Sequence, residues 1–354
     1  MHVSHMTRRT FLQASALVVA AAGGLVACSK EQDSALSTLS DGRKVLVDPE
    51  AAVYGEIAPA NHANHAGEGS TVYFTHDINP QTLLAIYDAL GTGLVGSKIG
   101  VKLSTGEPGS NHLDSNLIAD LVHAVNGTIV ECNTAYEGPR DNTKSHYEVA
   151  AEHGYSNIAD FQIMDEDGSI GLPVVGGFHL TENLVGSHFS DYDGFLVLSH
   201  FKGHQMAGFG GALKNVSIGM ASAPGKYRIH NAGGSDSEWI DTDTALFQEC
   251  MADACKSIMD VMGDKMVYIN VMNNLSVDCD CTGTPAAPKM ADVGILASTD
   301  PVAVDQACID MVYDSTDDSL DLISRIETLN GEHTIECAEK LGLGNRSYSL
   351  VEVG

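Results

Sequence analysis

Cations are the scarce ingredient of this 354-residue chain: Lys and Arg together number 19 against 47 Asp and Glu, a formal charge of −28. A phosphate backbone is neutralised by clustered lysines and arginines, so nucleic acid is excluded as a partner. Long apolar runs are also missing. The stretch Ala14 to Ala22 is too short and too rich in small residues to span a bilayer. Cysteine, at 8, is too sparse for a disulfide scaffold of this length. There is no internal repeat, no low-complexity block and no G-x-x-x-x-G-K-[ST] phosphate loop. What is present is globular chemistry. At 44% hydrophobic and 19% charged, the chain has enough apolar surface to offset the entropy of ordering it, so the acidity belongs to a solvated surface and not to a disordered tail.

The N-terminus reads as an address. Arg8-Arg9, Phe11-Leu12 and the weak apolar run look like a twin-arginine export signal over residues 1–27, and Leu25-Val26-Ala27-Cys28 resembles a bacterial lipobox whose thiol, on Cys28, takes the lipid. Residues 28–45 are then a lipidated tether, and the folded part, 46–354, is expected on the outer face of the cytoplasmic membrane or in the periplasm. The twin-arginine route carries folded proteins, commonly with a cofactor inserted, which makes a metal or redox centre a natural expectation.

Beyond the tether, strand and helix signals alternate. Thr71–Thr75, Lys98–Leu103, Thr128–Cys132, Gly194–Ser199, Met266–Met272 and Asp292–Ala297 read as strands. Gln81–Leu90, Asn116–Val125, Tyr147–His153, Thr244–Met262 and Val302–Tyr313 read as helices, the last started by Asp300-Pro301. The alternation predicts an α/β fold, a mixed and mostly parallel sheet flanked by helices. The polar interval 221–243 reads as a long loop or a boundary between two lobes. Gly91-Thr92-Gly93-Leu94-Val95-Gly96 fits G-x-G-x-x-G but follows a helix and opens a strand, the reverse of a dinucleotide site, and reads as a plain loop.

Three constellations stand where α/β sheets place chemistry, at the carboxyl ends of strands. His200 and His204, in a segment rich in glycine, converge on one ion if the chain there turns helically; otherwise they are structural histidines. Cys279 and Cys281, flanked by Asp278 and Asp280, need a turn before both sulfurs reach one metal, and the acids favour a metal-bound pair over free thiolates; inert thiols or disulfides formed elsewhere are the alternative. Two sulfurs and two imidazoles suit zinc, iron or an iron–sulfur cluster. Lys102, Glu107, Thr134, Tyr136, Arg140, His146 and His153, in the first half, offer cations for an anionic ligand or, more plainly, loop caps and surface pairs. Cys132, Cys250, Cys255, Cys308 and Cys337 read as core residues.

These blocks together, Val101-Lys102-Leu103 with Gly106-Glu107, Cys132-Asn133-Thr134 with Arg140, His200 to Asn215, and Asp278 to Cys281 with Asp300 and Asp305, resemble bacterial and archaeal proteins of the domain of unknown function 362 family, many of them described as iron–sulfur-centre proteins. The ferredoxin-like insert of many relatives, rich in C-x-x-C runs, is missing after His230, so an iron–sulfur cluster does not transfer automatically. The resemblance carries over to Lys102, Thr134, Arg140, His200, Lys202, His204, Lys214, Asn215, Asp278, Cys279, Cys281, Asp300 and Asp305 and strengthens the case for Cys279 and Cys281; with the constellations above, the expectation is a metal centre at Cys279, Cys281, His200 and His204, with Lys202, Lys102 and His146 to move a proton and Arg140, Thr134, Glu107, Lys214 and Asn215 to bind substrate. The leading expectation is a metal- or iron–sulfur-dependent redox or lyase-type enzyme on a small acidic molecule. A solute-binding lipoprotein, or the accessory subunit of an exported redox partner, is the rival expectation.

Overall fold

The computed structural model describes residues 62–354 apart from 92 and 95, together with the backbone of a short antiparallel pair, β1 (Leu36–Thr38) and β2 (Lys44–Leu46). The export signal, Cys28 and most of the tether lie outside the described residues.

In chain order the folded part runs β3 (Ala66–Thr75), α1 (Pro80–Ala89), β4 (Ile99–Lys102), α2 (Ser115–Ala124), β5 (Gly127–Glu131), α3 (Thr143–Glu152), α4 (Tyr155–Ile158), β6 (Phe161–Ile163), β7 (Ser169–Pro173), β8 (Glu182–Gly186), β9 (Gly194–His200), β10 (Lys202–His204), β11 (Gly208–Gly210), α5 (Ala212–Met220), α6 (Ala223–His230), α7 (Thr244–Met262), β12 (Met266–Met272), β13 (Gly294–Ser298), α8 (Pro301–Asp314), α9 (Leu320–Thr328), α10 (Glu332–Lys340) and β14 (Tyr348–Glu352). Eight strands form one sheet in the order β14-β3-β13-β12-β9-β4-β5-β6. Every neighbouring pair is parallel except those made by β13, which runs against both β12 and β3. The fold is α/β with a mixed, mostly parallel sheet between two helical layers.

Local sequence accounts for the elements. Helix α1 opens with Asn79 capping Thr82 N, with Thr82 returning the bond and Pro80 in the first turn. Asp300 caps α8 by accepting from Val302 N and Ala303 N. Along β9, Phe195 and Val197 face one helical layer and Leu196 and Leu198 the other, and β12 alternates the same way with Tyr268 against Val267 and Ile269. Strands buried on both faces read as continuous apolar runs because helices cover the sheet twice.

Two readings are corrected. The interval 221–243 begins with a helix, α6, started by Ser222 as N-cap and a proline in the first turn, and it packs on β8 and α7. It does not divide two lobes, because β9 from the first half of the chain pairs directly with β12 from the second. Nor does the His200 segment turn helically: β9 ends at His200 and the chain continues extended through the β10–β11 hairpin.

Candidate active site

Strands β4, β5, β9 and β12 are mutually parallel, so their carboxyl ends share one edge of the sheet. Lys102, Glu131 and His200 are the last residues of three of them, and the loop after β12 carries Asp280. A cavity of about 100 Å³ opens there, lined among others by five cations, Lys102, Arg140, Lys202, Lys214 and Lys226, against two carboxylates, Glu131 and Asp280. In a chain with a formal charge of −28, this is a concentrated excess of positive charge, built from the scarcest residues of the sequence.

Two ion pairs organise it. Lys102 Nζ lies 2.8 Å from Glu131 Oε1 and donates to Leu103 O at 2.6 Å and Asn215 Oδ1 at 2.9 Å. Burial drives the Lys102 ammonium down, and Glu131 partly restores it. Burial alone would raise Glu131, but Lys102, Lys226, His146 and Arg140 outweigh it and hold its carboxyl at about 2. Lys202 pairs with Asp280, whose carboxylate also meets His200 Nδ1 at 3.0 Å. Burial would lift Asp280, yet Lys202 and His200 keep it far below the usual carboxylate range.

Lys214 differs from both. Its ammonium makes no hydrogen bond or ion pair among the described residues, and burial reinforced by the neighbouring Lys202 lowers it to about 7. Lysines tuned to this value can give and take a proton near neutral pH. Helix α5, which carries Lys214 and Asn215, is positioned by Asp305: its carboxylate accepts from Ala212 N at 2.7 Å and Leu213 N at 2.9 Å. A side chain at Gly211 would collide with Asp305, and one at Gly219 with Lys102 Nζ, so both glycines set how closely α5 approaches the sheet.

The sequence-derived residues divide. Lys102, Lys202, Arg140, Thr134, Lys214, Asn215, His200, His204, Cys279 and Cys281 all line the cavity. His146 and Glu107 do not. His146 is buried between Thr105 Oγ1 and Asn133 Oδ1, away from the cavity lining, and is pushed down to about 3 by burial and then by Arg140. Glu107 is buried beneath Arg140, accepting from its Nε at 3.1 Å and from Tyr136 Oη at 2.9 Å, and so orients the guanidinium from outside the cavity lining. Asn215 spends its amide on Lys102 O, Leu198 O and Ser199 Oγ, joining the ends of β4 and β9.

The four-ligand metal centre is corrected as well. Both ring nitrogens of His200 are taken up by protein acceptors, Asp280 at Nδ1 and Asn273 O at Nε2, 2.6 Å away, so neither points toward the sulfurs of Cys279 and Cys281. The turn at Asp280-Cys281 brings the sulfurs of Cys279 and Cys281 together as a disulfide, with Cα atoms 5.2 Å apart. His204, Cys279 and Cys281 still form a group, all potential ligand atoms within 4.8 Å, that could hold a metal ion. It fits only as a dithiol, since thiolates are the ligands. His204 Nδ1 accepts from Met206 N and Ala207 N, so in this structure the ring proton sits on Nε2, and an ion at Nε2 would require it to move to Nδ1 at the cost of those two hydrogen bonds.

Lys226, His230 and Trp239 were not anticipated as lining residues. They ride on or follow α6, and the Ser222-Ala223-Pro224 start signal was the available cue.

Among solved structures the chain is similar to the lactate racemase apoprotein from Thermoanaerobacterium thermosaccharolyticum, with 12% identity, a TM-score of 0.40, and 70% of this chain and 58% of that one covered. It is similar to the same degree to a protein from Thermotoga maritima, with 14% identity, a TM-score of 0.40, and 65% and 57% covered. The chain thus spans under two thirds of either protein's length. No curated protein of similar sequence matches it. The family known as domain of unknown function (DUF362) matches residues 99–310, the span from β4 into α8 that builds the whole cavity, and the chain belongs to that family.

Proposed function

We propose that this is an exported, lipid-anchored enzyme of the redox or lyase type whose substrate is a small acidic molecule. The observation that carries the reading is the cavity: five cations against two carboxylates at the crevice where α/β sheets bind ligands. Lys102 and Lys202 are each held by one carboxylate, so they set the field; Arg140, fixed by Glu107 and Tyr136, is pre-oriented for a carboxylate. Lys214, unpaired and lowered to about 7, is the group to move a proton. His204, Cys279 and Cys281, when reduced, would hold a metal that polarises substrate oxygen or passes electrons. Export and anchoring rest on Arg8-Arg9 and on Leu25 to Cys28.

Calorimetric titration with small mono- and dicarboxylates and with inorganic phosphate tests the site. Binding of an acidic compound, absent for its amide and weakened in Lys214→Met, is expected; no binding by any of these at millimolar concentration sinks the reading. The disulfide favours a second reading, a solute-binding lipoprotein or accessory redox subunit without turnover, because it leaves no thiolate to hold a metal. Metal analysis of anaerobically purified protein, before and after reduction, separates the two.

A further inference from the structure

A second cluster of metal ligands lies away from the cavity, where the chain enters the folded domain. His62-Ala63-Asn64-His65 precedes β3, Asp310 is on α8 and Glu332 begins α10. His62 Nε2 is 2.8 Å from Asp310 Oδ1, and His65 Nδ1 is 3.6 Å from the same oxygen. Ligand atoms around a tetrahedral zinc are about 3.3 Å apart, given bonds of about 2.0–2.1 Å. The three potential ligand atoms all fall within 4.8 Å of one another, and the imidazole rings converge at 62° with centroids 6.1 Å apart.

We propose that His62, His65 and Asp310 bind a divalent transition ion of the zinc class, which clips the segment leading from the tether onto α8 and α10. Two details of the surroundings point to a ligand. His65 Nδ1 is buried and makes no hydrogen bond among the described residues, with only the Asp310 carboxylate near it, at 3.6 Å. His62 presents its other nitrogen, Nδ1, to Glu332 Oε1 at 3.1 Å, the carboxylate–histidine arrangement that orients metal-binding imidazoles. Asp310 is fixed in turn: Gln306 Nε2 donates to Oδ1 at 2.7 Å, and His65 N and Tyr348 Oη donate to Oδ2 at 2.7 and 3.0 Å. Tyr313 stacks on the His62 ring, 4.0 Å between centroids. A doubly protonated His62 ring, donating from Nε2 to Asp310 and from Nδ1 to Glu332, is the competing explanation; it satisfies His62 and leaves His65 unexplained. With three protein ligands and His65 partly exposed, the fourth position falls to water. Both histidines of the cluster and Glu332 lie outside residues 99–310, and only Asp310 falls within that span, at its end, so the clip is an addition to the part shared with the family.

The test uses the full chain carrying Cys279→Ser and Cys281→Ser, which removes the sulfur ligands of the cavity. After chelator treatment, the protein is titrated with zinc and, separately, with cobalt. The expected result is a tightly bound equivalent whose cobalt form shows ligand-field bands and no thiolate charge-transfer band. His65→Ala loses that equivalent, while the urea midpoint of the metal-free protein stays where it was, since the ring nitrogen had no hydrogen bond to lose. Glu332→Gln weakens zinc about 10–100-fold without abolishing it. Absence of zinc binding at micromolar concentration, or an equivalent retained unchanged by His65→Ala, overturns the proposal.

Discussion

Removing a cavity lysine should stabilise this protein. Lys214 is an unpaired ammonium lowered from the ordinary lysine value of 10.5 to about 7 by burial and by Lys202. Each pH unit between the folded and unfolded values corresponds to about 1.4 kcal/mol against the charged form. Below pH 7 the folded protein carries that cost in full. Because Lys214 is partly exposed, screening reduces it, and roughly 3 kcal/mol is the expected gain for Lys214→Met at pH 6. For a domain of this size that is a rise in Tm of roughly 5–10 °C. The sign with pH follows from proton linkage: between 7 and 10.5 the unfolded chain binds the extra proton, so the wild type gains stability as pH rises and the advantage of Lys214→Met shrinks toward zero. Urea unfolding of both proteins at pH 6, 8 and 10 measures the difference directly, and other titrations cancel. The same substitution should abolish the pH dependence of anion binding, which in the wild type weakens by up to about tenfold per unit above pH 7. A variant no more stable than wild type at pH 6, or an advantage independent of pH, refutes the assignment of Lys214 as an unpaired, desolvated cation.

Glu131, held at about 2, contributes stability that is complete above the ordinary value of 4.5 and is lost as pH falls through 2; Glu131→Gln should cost about 3–5 kcal/mol at pH 7 by leaving Lys102 without its counter-charge, and should flatten the acid limb in denaturant titrations at pH 7, 4 and 3. In Gly219→Ala, the new methyl would sit 2.6 Å from Lys102 Nζ, so a loss of about 1–3 kcal/mol together with weaker anion binding is expected from thermal unfolding and calorimetry. Differential alkylation of the unfolded, unreduced protein should label Cys132, Cys250, Cys255, Cys308 and Cys337 and leave Cys279 and Cys281 unlabelled until a reductant is added; labelling of Cys279 before reduction would remove the disulfide from the account.

The sheet was legible in the sequence where burial is two-sided. Met266–Met272 and Thr244–Met262 occur at the residues the pattern marks, because an uninterrupted apolar run and a long 3.6-residue period each have one structural reading. The β7–β8 hairpin, α9, α10 and β14 were not anticipated: each is only five or nine residues long, and so short an apolar pattern, even the amphipathic one of α9, has no single structural reading. The site divides in the same way. That Lys102, His200 and Cys279 gather at one edge follows from parallel strands ending together, which periodicity and strand order suffice to suggest. Which partner each side chain takes does not follow. His200 reaches Asp280 across 80 residues of chain, and His146 is sequestered by Thr105 and Asn133, neither of which any local spacing encodes.

The acid-rich composition and the cationic cavity are two sides of one arrangement. With 19 cations in the chain, placing five around one cavity of about 100 Å³ is costly unless something offsets the mutual repulsion, and Glu131 and Asp280 directly offset Lys102 and Lys202, with Glu131 also 4.0 Å from Arg140 Nη1. Arg140 leans on Glu107, and Lys226 on the carbonyl of Ala221. Lys214 is left as the one of the five for which the fold supplies no acceptor among the described residues, and its lowered proton affinity is the energetic trace of that omission. A bound anion would supply the missing counter-charge. Anion binding should therefore be accompanied by proton uptake at pH 8, where free Lys214 is mostly neutral, and by none at pH 5.5, where it is already charged. Calorimetry of one carboxylate in buffers of different ionisation enthalpy reads that proton directly; equal heats across buffers at pH 8 would mean that the anion is held by Arg140 and the paired lysines, without Lys214.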